Sequence, residues 1–245
     1  MAFRPKQILL IDAVKWSDAY SPSHPLCSAP GWFATHVCVR GEASMRVQSA
    51  EADLSAEPVP GTDGVIISGS PRDAWSDDPV NQVLIDVIHR CRARGTAVLG
   101  VCYGHQVLGR AAGGRVARHP NGWELGNTSI QLTPEGKSNK LFSGMPSSFE
   151  ALQSHADAVL ELPDSCTLLA TGSHTAIQGF SWGSACLGVQ FHPETSPEVL
   201  RYLWDPRRES WRDRIGFDLD ARLGSLQPAP LASKIIPNFI HHIIP

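Results

Sequence analysis

The stretch TAVLGVCYGHQVLGRAAGG, residues 96–114, places a cysteine where an apolar run changes into a helical pattern. Residues 96–101 are almost all apolar, which is typical of a strand buried on both faces of a parallel sheet. Residues 104–112 predict a helix, and the glycine pair at 113–114 ends it. Cys102 is therefore predicted to lie at a sharp turn from a strand into a helix.

A turn of this kind suits a nucleophile. The side chain lies at the carboxyl end of the strand, where open α/β proteins bind ligands. The helix N-terminus supplies free N–H groups and a positive dipole end, which favour a thiolate. Gly100 and Gly104 fit the close contacts and unusual backbone angles of a tight elbow. Cys102 is therefore predicted to be a nucleophile, whereas His105, on the helix beyond, is expected to pack locally.

The rest of the first half alternates strand and helix patterns. Strands are predicted over 7–12 and 63–69, and helices over 31–39 and Pro79–Arg94. The second of these helices has proline at its start, the apolar spacing of an amphipathic helix, and Gly95 at its end. This order predicts an α/β fold with an open, mostly parallel sheet and helices on both faces.

The second half of the sequence shows a different pattern of apolar residues. Short apolar runs separated by turn residues predict added strands, some of them antiparallel. These runs are 129–132, 167–170, 176–180 and 185–191. Helices are predicted over 197–204 and 232–244.

The chain has 245 residues, of which 42% are hydrophobic, enough for one sizeable core. We expect a single domain over 1–245, with a core over about 7–204 and a polar segment and final helix in 205–245. The mixed-charge run 207–214 is interpreted as a solvated helix face, and a docking site for a partner is the alternative.

Composition narrows the possible functions. A net charge of −3 argues against a surface for nucleic acid. The apolar runs are too short to span a bilayer, and the start MAFRPKQILLID does not resemble a signal peptide, so no membrane is expected and a cytoplasmic location is predicted. The six cysteines are scattered without zinc-like spacing, so no metal site is expected.

A second motif is QFHPE, residues 190–194. His192 and Glu194 lie two residues apart, so on an extended segment they share one side. A histidine beside a thiol takes its proton, and a carboxylate holds the imidazole in the needed tautomer. The spacing predicts a Cys-His-Glu triad with Cys102.

A third motif is SGSPR, residues 68–72, after a predicted strand. A turn of small residues can point backbone N–H groups at an incoming carbonyl oxygen. We expect an oxyanion hole with one donor from the Gly69-Ser70 turn and one from the amide of Tyr103.

GVCYGHQ, QFHPE and ISGSP, in their positions along the chain, resemble a class I glutamine amidotransferase domain, including the glutaminase of GMP synthase. The similarity runs from about residue 7 to 204. It implies a flavodoxin-like amidotransferase fold, with Cys102 as nucleophile, His192 as base and Glu194 as orienting acid. One departure is that the family turn often reads Gly-Gly-Pro, whereas this chain has Ser70, whose Cβ limits positive φ.

The resemblance also implies a substrate. The segment SHAD, residues 154–157, resembles the family segment whose backbone holds the α-amino acid part of glutamine, so Ser154 and His155 are expected at the substrate together with Gln106. Glutamine or another γ-glutamyl compound would form a thioester and release ammonia and glutamate. The resemblance implies no metal or organic cofactor for this half-reaction.

The use of this chemistry is left open among three alternatives. The favoured one is a glutaminase that feeds ammonia to a separate synthase subunit, because the chain has no second region for an ATP-using synthase domain. The second is an independent γ-glutamyl hydrolase, since the segment 123–126 resembles standalone γ-glutamyl peptidase-like members. The third is an inactive regulatory subunit, against which the complete Cys102, His192 and Glu194 argue.

Overall fold

The computed structural model describes residues 4–38, 41–212 and 214–245. Within these residues, nine strands form one sheet and two strands form a second, smaller one. The strands are β1 (Lys6–Asp12), β2 (Ala43–Ser49), β3 (Gly64–Ile67), β4 (Ala97–Val101), β5 (Arg115–Arg118), β6 (Glu124–Leu132), β7 (Ser148–His155), β8 (Asp157–Glu161), β9 (Thr167–Gly172), β10 (Gly179–Trp182) and β11 (Cys186–Val189). The α-helices are α1 (Ala29–Val37), α2 (Pro79–Arg94), α3 (Tyr103–Ala111), α4 (Pro134–Ser138), α5 (Pro197–Trp204), α6 (Arg208–Trp211), α7 (Leu219–Gly224) and α8 (Ile235–Asn238).

The large sheet has the strand order β2-β1-β3-β4-β11-β10-β9-β6-β7, and β5 pairs with β8 in the small sheet. The five strands from β2 to β11 are parallel to their neighbours. From β11 onward the pairings are antiparallel. The predicted mostly parallel sheet with antiparallel strands in the second half is confirmed.

Helices cover both faces of the parallel part. On β1, Ile8 and Leu10 pack in one core cluster with α1 and the C-terminal helices. The alternate residues Leu9 and Ile11 pack in a second cluster with α2 and α3. Since successive side chains of a strand point to opposite faces, an apolar run such as β1 is what two covered faces require.

Two helices have the predicted bounds because their ends are capped. The carboxylate of Asp78 accepts a hydrogen bond from the Val80 amide at the start of α2, and Gly95 ends the helix with a φ of 70°. At the start of α5, Ser196 accepts from the Val199 amide. These are the side-chain and glycine caps that satisfy the free backbone groups of a helix.

Other bounds differ from the prediction. The helix predicted over 31–39 begins at Ala29, because the Ser28 hydroxyl accepts a hydrogen bond from the Gly31 amide and caps it there. It ends at Val37, and residue 39 lies outside the described residues. The strand predicted over 176–180 starts only at Gly179, because the Gly172 amide donates to the Thr175 carbonyl and closes a turn first.

The final helix predicted over 232–244 is not continuous. It divides into a 3-10 turn at Ala232–Lys234, the short α8 and a π-helical turn at Phe239–Ile243. Pro237 has no N–H to donate and is tolerated only in the first turn of an α-helix, so the helix restarts just before it. This segment nevertheless packs on the core, since Ile235, Ile236 and Phe239 are fully buried.

We expect Gly104→Ala to lower the free energy of unfolding by about 2 kcal/mol, within the usual range for overpacking. A methyl group on Gly104 would overlap the backbone carbonyl of Ile67 at the end of β3, where neither group can move away easily. Urea unfolding measures the change. Gly224→Ala in α7 is the control, because a methyl group there meets no atom within 4 Å. Equal losses in both variants would contradict this close packing.

Candidate active site

Cys102 lies at the elbow between β4 and α3, with a φ of 52°. In the described part of the chain no other residue except glycine has a positive φ. Such a backbone costs roughly 1–3 kcal/mol and persists only where its surroundings hold it. Three hydrogen bonds do so: the Cys102 amide donates to Val189, the Gly104 amide to Ser68, and the Gln106 amide to the Cys102 carbonyl.

His192 and Glu194 form a buried pair on the segment after β11. Nδ1 of His192 lies 2.8 Å from Oε1 of Glu194, and the His192 amide donates to the Leu152 carbonyl on β7. Nε2 of His192 is buried and has no hydrogen-bond partner among the described residues. The pair therefore holds the ring by one nitrogen and leaves the other available.

The charge state of His192 follows from its neighbours. Burial lowers the pKa of its imidazole, but the charges of Glu194 and Cys102 and hydrogen bonding outweigh burial and raise this pKa well above its usual value. A protonated imidazole is thus favoured beside Cys102 and the Glu194 carboxylate.

The turn after β3 converges on these two residues. A Cβ on Gly69 would lie 3.1 Å from Cε1 of His192 and 3.7 Å from Cβ of Cys102. The hydroxyl of Ser68 accepts from the Ala13 amide at 2.9 Å and donates to the Gly69 carbonyl at 2.9 Å, which fixes the turn. The structure therefore brings together the three motifs that are far apart in sequence.

Gln106, Ser154 and His155 line the same cavity as Cys102, but their side chains are hydrogen-bonded within the protein. Nε2 of Gln106 donates to the Asp157 carbonyl at 2.7 Å. Oγ of Ser154 accepts from Nε1 of Trp204 at 3.0 Å. Nε2 of His155 lies 2.9 Å from the buried carboxylate of Glu124. These side chains therefore fix the strands around the cavity.

Two other predicted residues lie apart from this arrangement of polar groups. The side chain of Tyr103 points into the core, where its hydroxyl donates to Oδ1 of Asn81 at 2.6 Å, so only its backbone amide belongs to the elbow. His105 is fully buried against the Phe180 ring, and burial lowers its pKa to about 3. His105 therefore packs locally, as expected, and is neutral.

Cys102 opens into a cavity of about 420 Å³ that is rich in aromatic side chains. Most of its lining could not be predicted from the sequence, because the residues come from distant loops and helices. Arg207 and Trp211 are among them. The interpretation of 207–214 as a solvated helix face is therefore wrong for these two residues. Arg207 is half-buried over the rings of Tyr20 and Trp204, and Trp211 is half-buried against Trp204. Residue 213 lies outside the described residues.

Asp157 is a buried carboxyl at the cavity that the sequence prediction did not single out. Burial, followed by the nearby carboxylate of Asp73, raises its pKa to about 6, although Arg118 opposes this rise. Its Oδ2 accepts a hydrogen bond from Nε1 of Trp75 at 3.0 Å. Asp157 therefore changes charge near neutral pH.

No group of three or more metal-ligating side chains was found in the part of the chain that the structure describes. In the same residues, no helix has the length and apolar character needed to cross a membrane.

Comparison with known proteins defines the class of this chain. A family profile described as Glutamine amidotransferase class-I matches residues 34–202. The chain belongs to the class I glutamine amidotransferase family, as the sequence resemblance predicted.

The individual relatives that the chain matches include a peptidase and a synthase. The chain is 39% identical to γ-glutamyl peptidase 5 of Arabidopsis thaliana over 140 residues, which cover 56% of each protein. It is 34% identical to a GMP synthase [glutamine-hydrolyzing] of Aeropyrum pernix over 157 residues, which cover 63% of this chain and 28% of that protein. The alignments thus span about half the length of the peptidase relatives and less of the synthase.

A solved structure supports the fold over nearly the whole chain. The structure of a glutamine amidotransferase from Thermotoga maritima superposes with a TM-score of 0.74 at 19% identity and covers 97% of this chain and 96% of that one. At this identity the likeness concerns the fold.

We expect Asp157→Asn to raise the melting temperature more at pH 8 than at pH 4. The pKa is about 6 in the folded protein and 3.8 for an ordinary aspartate, so the stability that this group contributes is complete below about pH 4 and lost as the pH rises through 6. Asparagine removes that loss. Melting curves at several pH values measure the difference.

Glu161→Gln, on the same strand β8, is the control of opposite sign. Hydrogen bonding and attraction to Arg115 lower the pKa of Glu161, so its contribution is present at neutral pH and lost in acid. A gain from Asp157→Asn that does not vary with pH would contradict the raised pKa.

Proposed function

We propose that this protein hydrolyses γ-glutamyl amides through a thioester on Cys102, with His192 and Glu194 completing a catalytic triad. The observation that carries this proposal is the elbow itself: a cysteine held at positive φ beside a histidine whose far nitrogen is bonded to a buried carboxylate. Membership of the class I amidotransferase family and similarity to a γ-glutamyl peptidase support it.

In the first step, the Cys102 sulfur attacks the γ-carbonyl carbon, and negative charge develops on the carbonyl oxygen. The N–H groups of Ser70 or Gly69 and of Tyr103 are the proposed donors to that oxygen. Tyr103 is the first residue of α3, where backbone N–H groups have no partner within the helix. Gly69 lies beside both Cys102 and His192, so its turn is close enough to take part. Loss of one such donor typically lowers turnover about 100- to 1000-fold.

His192 then passes its proton to the departing amine, and the C–N bond breaks. The same residue takes a proton from water, which attacks the thioester and releases glutamate. Glu194 keeps Nδ1 hydrogen-bonded through both steps, so that Nε2 is the nitrogen that exchanges the proton. The high pKa of His192 suits the donation to the amine.

Gln106, Ser154 and His155 are proposed to hold the glutamyl half of the substrate. Since their side chains are engaged with protein atoms, the groups left for the substrate are mainly backbone atoms of this segment and its neighbours. We further propose that the residues 1–245 act as one domain, because the core clusters that surround the sheet include both the elbow and the C-terminal helices.

A second candidate function is delivery of ammonia to a separate synthase subunit. It is favoured by similarity to a GMP synthase, of which the alignment covers only 28%. Both functions share the thioester. They differ in whether glutamine or a larger γ-glutamyl amide is the better substrate for the protein alone.

We expect Cys102→Ala to abolish glutamate release and thioester formation without unfolding the protein. Intact-protein mass spectrometry after brief mixing with substrate and acid quenching detects the bound γ-glutamyl group. Cys186→Ala is the matched control, because Cys186 is a buried cysteine away from the cavity whose pKa is raised by burial to about 11. Turnover by Cys102→Ala would refute the nucleophile.

Glu194→Gln is expected to lower kcat by roughly 10³-fold or more while KM changes little. The amide no longer stabilises the protonated ring or selects the tautomer with Nε2 available, a loss that reaches about 10⁴ in serine proteases. Steady-state kinetics with glutamine and γ-glutamyl peptides measure it. A change confined to KM would assign Glu194 to binding instead.

A further inference from the structure

The cavity beyond Cys102 has an aromatic lining that the thioester chemistry does not use. We call it the aromatic wall; it consists of Trp16, Tyr20, Trp32, Trp123 and Trp211. The rings contact one another edge to face within two groups, one of Trp16, Tyr20 and Trp32 and the other of Trp123 and Trp211. The ring centroids of Trp16 lie 5.2 Å from Tyr20 and 5.9 Å from Trp32, and those of Trp123 and Trp211 are 5.3 Å apart. This packing makes the wall a formed surface.

The aromatic wall is attached to the segment that carries His192. Helix α5 begins three residues after Glu194, and its Leu203 packs with Trp16 and Trp32. The hydroxyl of Tyr20 donates to the Leu203 carbonyl at 2.6 Å. In the proposed mechanism His192 protonates the leaving amine. The departing amine would then lie on the side of Trp16, Tyr20 and Trp32, which contact this helix, and the glutamyl half would lie towards the strands β7 and β8.

Two positively charged side chains, Arg207 and Lys15, line the cavity together with the aromatic rings. Arg207 lies over the Tyr20 ring, with its guanidinium carbon 5.9 Å from the centroid. Among the residues that the structure describes, Arg207 and Lys15 line the cavity without an ion pair, whereas Arg118 pairs with Asp157 and Arg72 with Asp78. Nε1 of Trp123 is buried and has no hydrogen-bond partner in the same residues. The cavity lining thus offers two cations to a negatively charged group.

We propose that the aromatic wall binds the leaving half of the substrate, and that this half is an aromatic amino acid, so that the substrate class is γ-glutamyl aromatic amino acids. The ring would pack on Trp16 and its neighbours, and the carboxylate would meet Arg207. This inference rests on the proposed function, because it specifies which leaving group departs when the thioester forms. The sulfur–carbon bond forms, the carbon–nitrogen bond breaks, and the amino acid leaves with the proton of His192.

The size of the cavity, which has to hold both halves of the substrate, is compatible with this assignment. A volume of about 420 Å³ lies within the range of roughly 300–1000 Å³ that is usual for small-molecule sites. Ammonia resembles a single water molecule, which takes about 30 Å³ in the liquid. A wall of five aromatic side chains is far larger than release of ammonia requires.

The test begins with the wild-type protein and four substrates: γ-glutamyl-phenylalanine, γ-glutamyl-alanine, the γ-glutamyl amide of 2-phenylethylamine, and glutamine. We expect kcat/KM for γ-glutamyl-phenylalanine to exceed that for γ-glutamyl-alanine and glutamine at least about tenfold, as burial of a ring in a fitted site allows. The 2-phenylethylamide lacks the carboxylate and is expected to fall between them. No variant has to fold for this comparison.

Two variants then separate the ring from the charge. Arg207→Gln is expected to lower kcat/KM for γ-glutamyl-phenylalanine about tenfold and to leave the 2-phenylethylamide nearly unchanged. Trp16→Leu is expected to lower both. Arg92→Gln is the matched control, because Arg92 makes a similar contact with Trp182, 4.2 Å from the ring centroid, outside the cavity. Melting temperatures confirm that each variant is folded.

The outcomes distinguish this inference from the proposed function. Cys102-dependent turnover with equal kcat/KM for all four substrates would overturn the inference and leave the thioester mechanism standing. Preference for glutamine with no effect of Arg207→Gln would do the same and favour delivery of ammonia. Absence of Cys102-dependent glutamate release from every substrate would overturn both.

Discussion

The site depends on one close contact, between the first turn of α3 and the ends of β3 and β4. Methyl groups on Gly100 and Gly104 would overlap backbone atoms on opposing elements, so helix and strands approach more closely than side chains permit. This approach leaves no room for a gradual bend at Cys102. The backbone therefore turns through a positive φ and directs the thiol out of the sheet.

The parallel register supplies the rest of the geometry. Ile67 of β3 and Gly188 of β11 both pair with Gly100 of β4, so the three strands end at the same level. The chain segments that follow them leave the sheet side by side. They carry Gly69, Cys102 and His192, which meet although they are far apart in sequence. The shared strand direction thus brings the three segments of the site to one edge of the sheet through backbone pairing alone.

Local signals account for what could be predicted from sequence. The caps of α2 and α5 and the glycines of the elbow are recognisable from sequence motifs of a few residues. The family resemblance is also confirmed. Strands β2 and β7 could not be predicted from such local motifs, because they mix polar and apolar residues. Their pairing with strands distant in sequence defines them. The aromatic wall was missed for the same reason, since its members span residues 16–211 and meet only through packing. The catalytic and binding roles of the site residues stay predictions.

Three buried histidines near the sheet show why the surroundings, and not the residue type, select the one suited to proton transfer. His105 is neutral against Phe180, with its pKa lowered to about 3. His155 has one ring nitrogen 2.9 Å from Glu124 and the other 3.0 Å from the Asp157 carbonyl, so neither is available to a substrate. His192 has a carboxylate on one nitrogen only. The pair of His155 and Glu124 is fully hydrogen-bonded and holds strands β6 and β7 together. At His192 the incomplete bonding leaves a protonated, partly unsatisfied ring beside Cys102. The unpaired Nε2–H of His192 lowers the stability of the folded protein locally. The proposed proton transfer at the elbow accounts for its being unpaired.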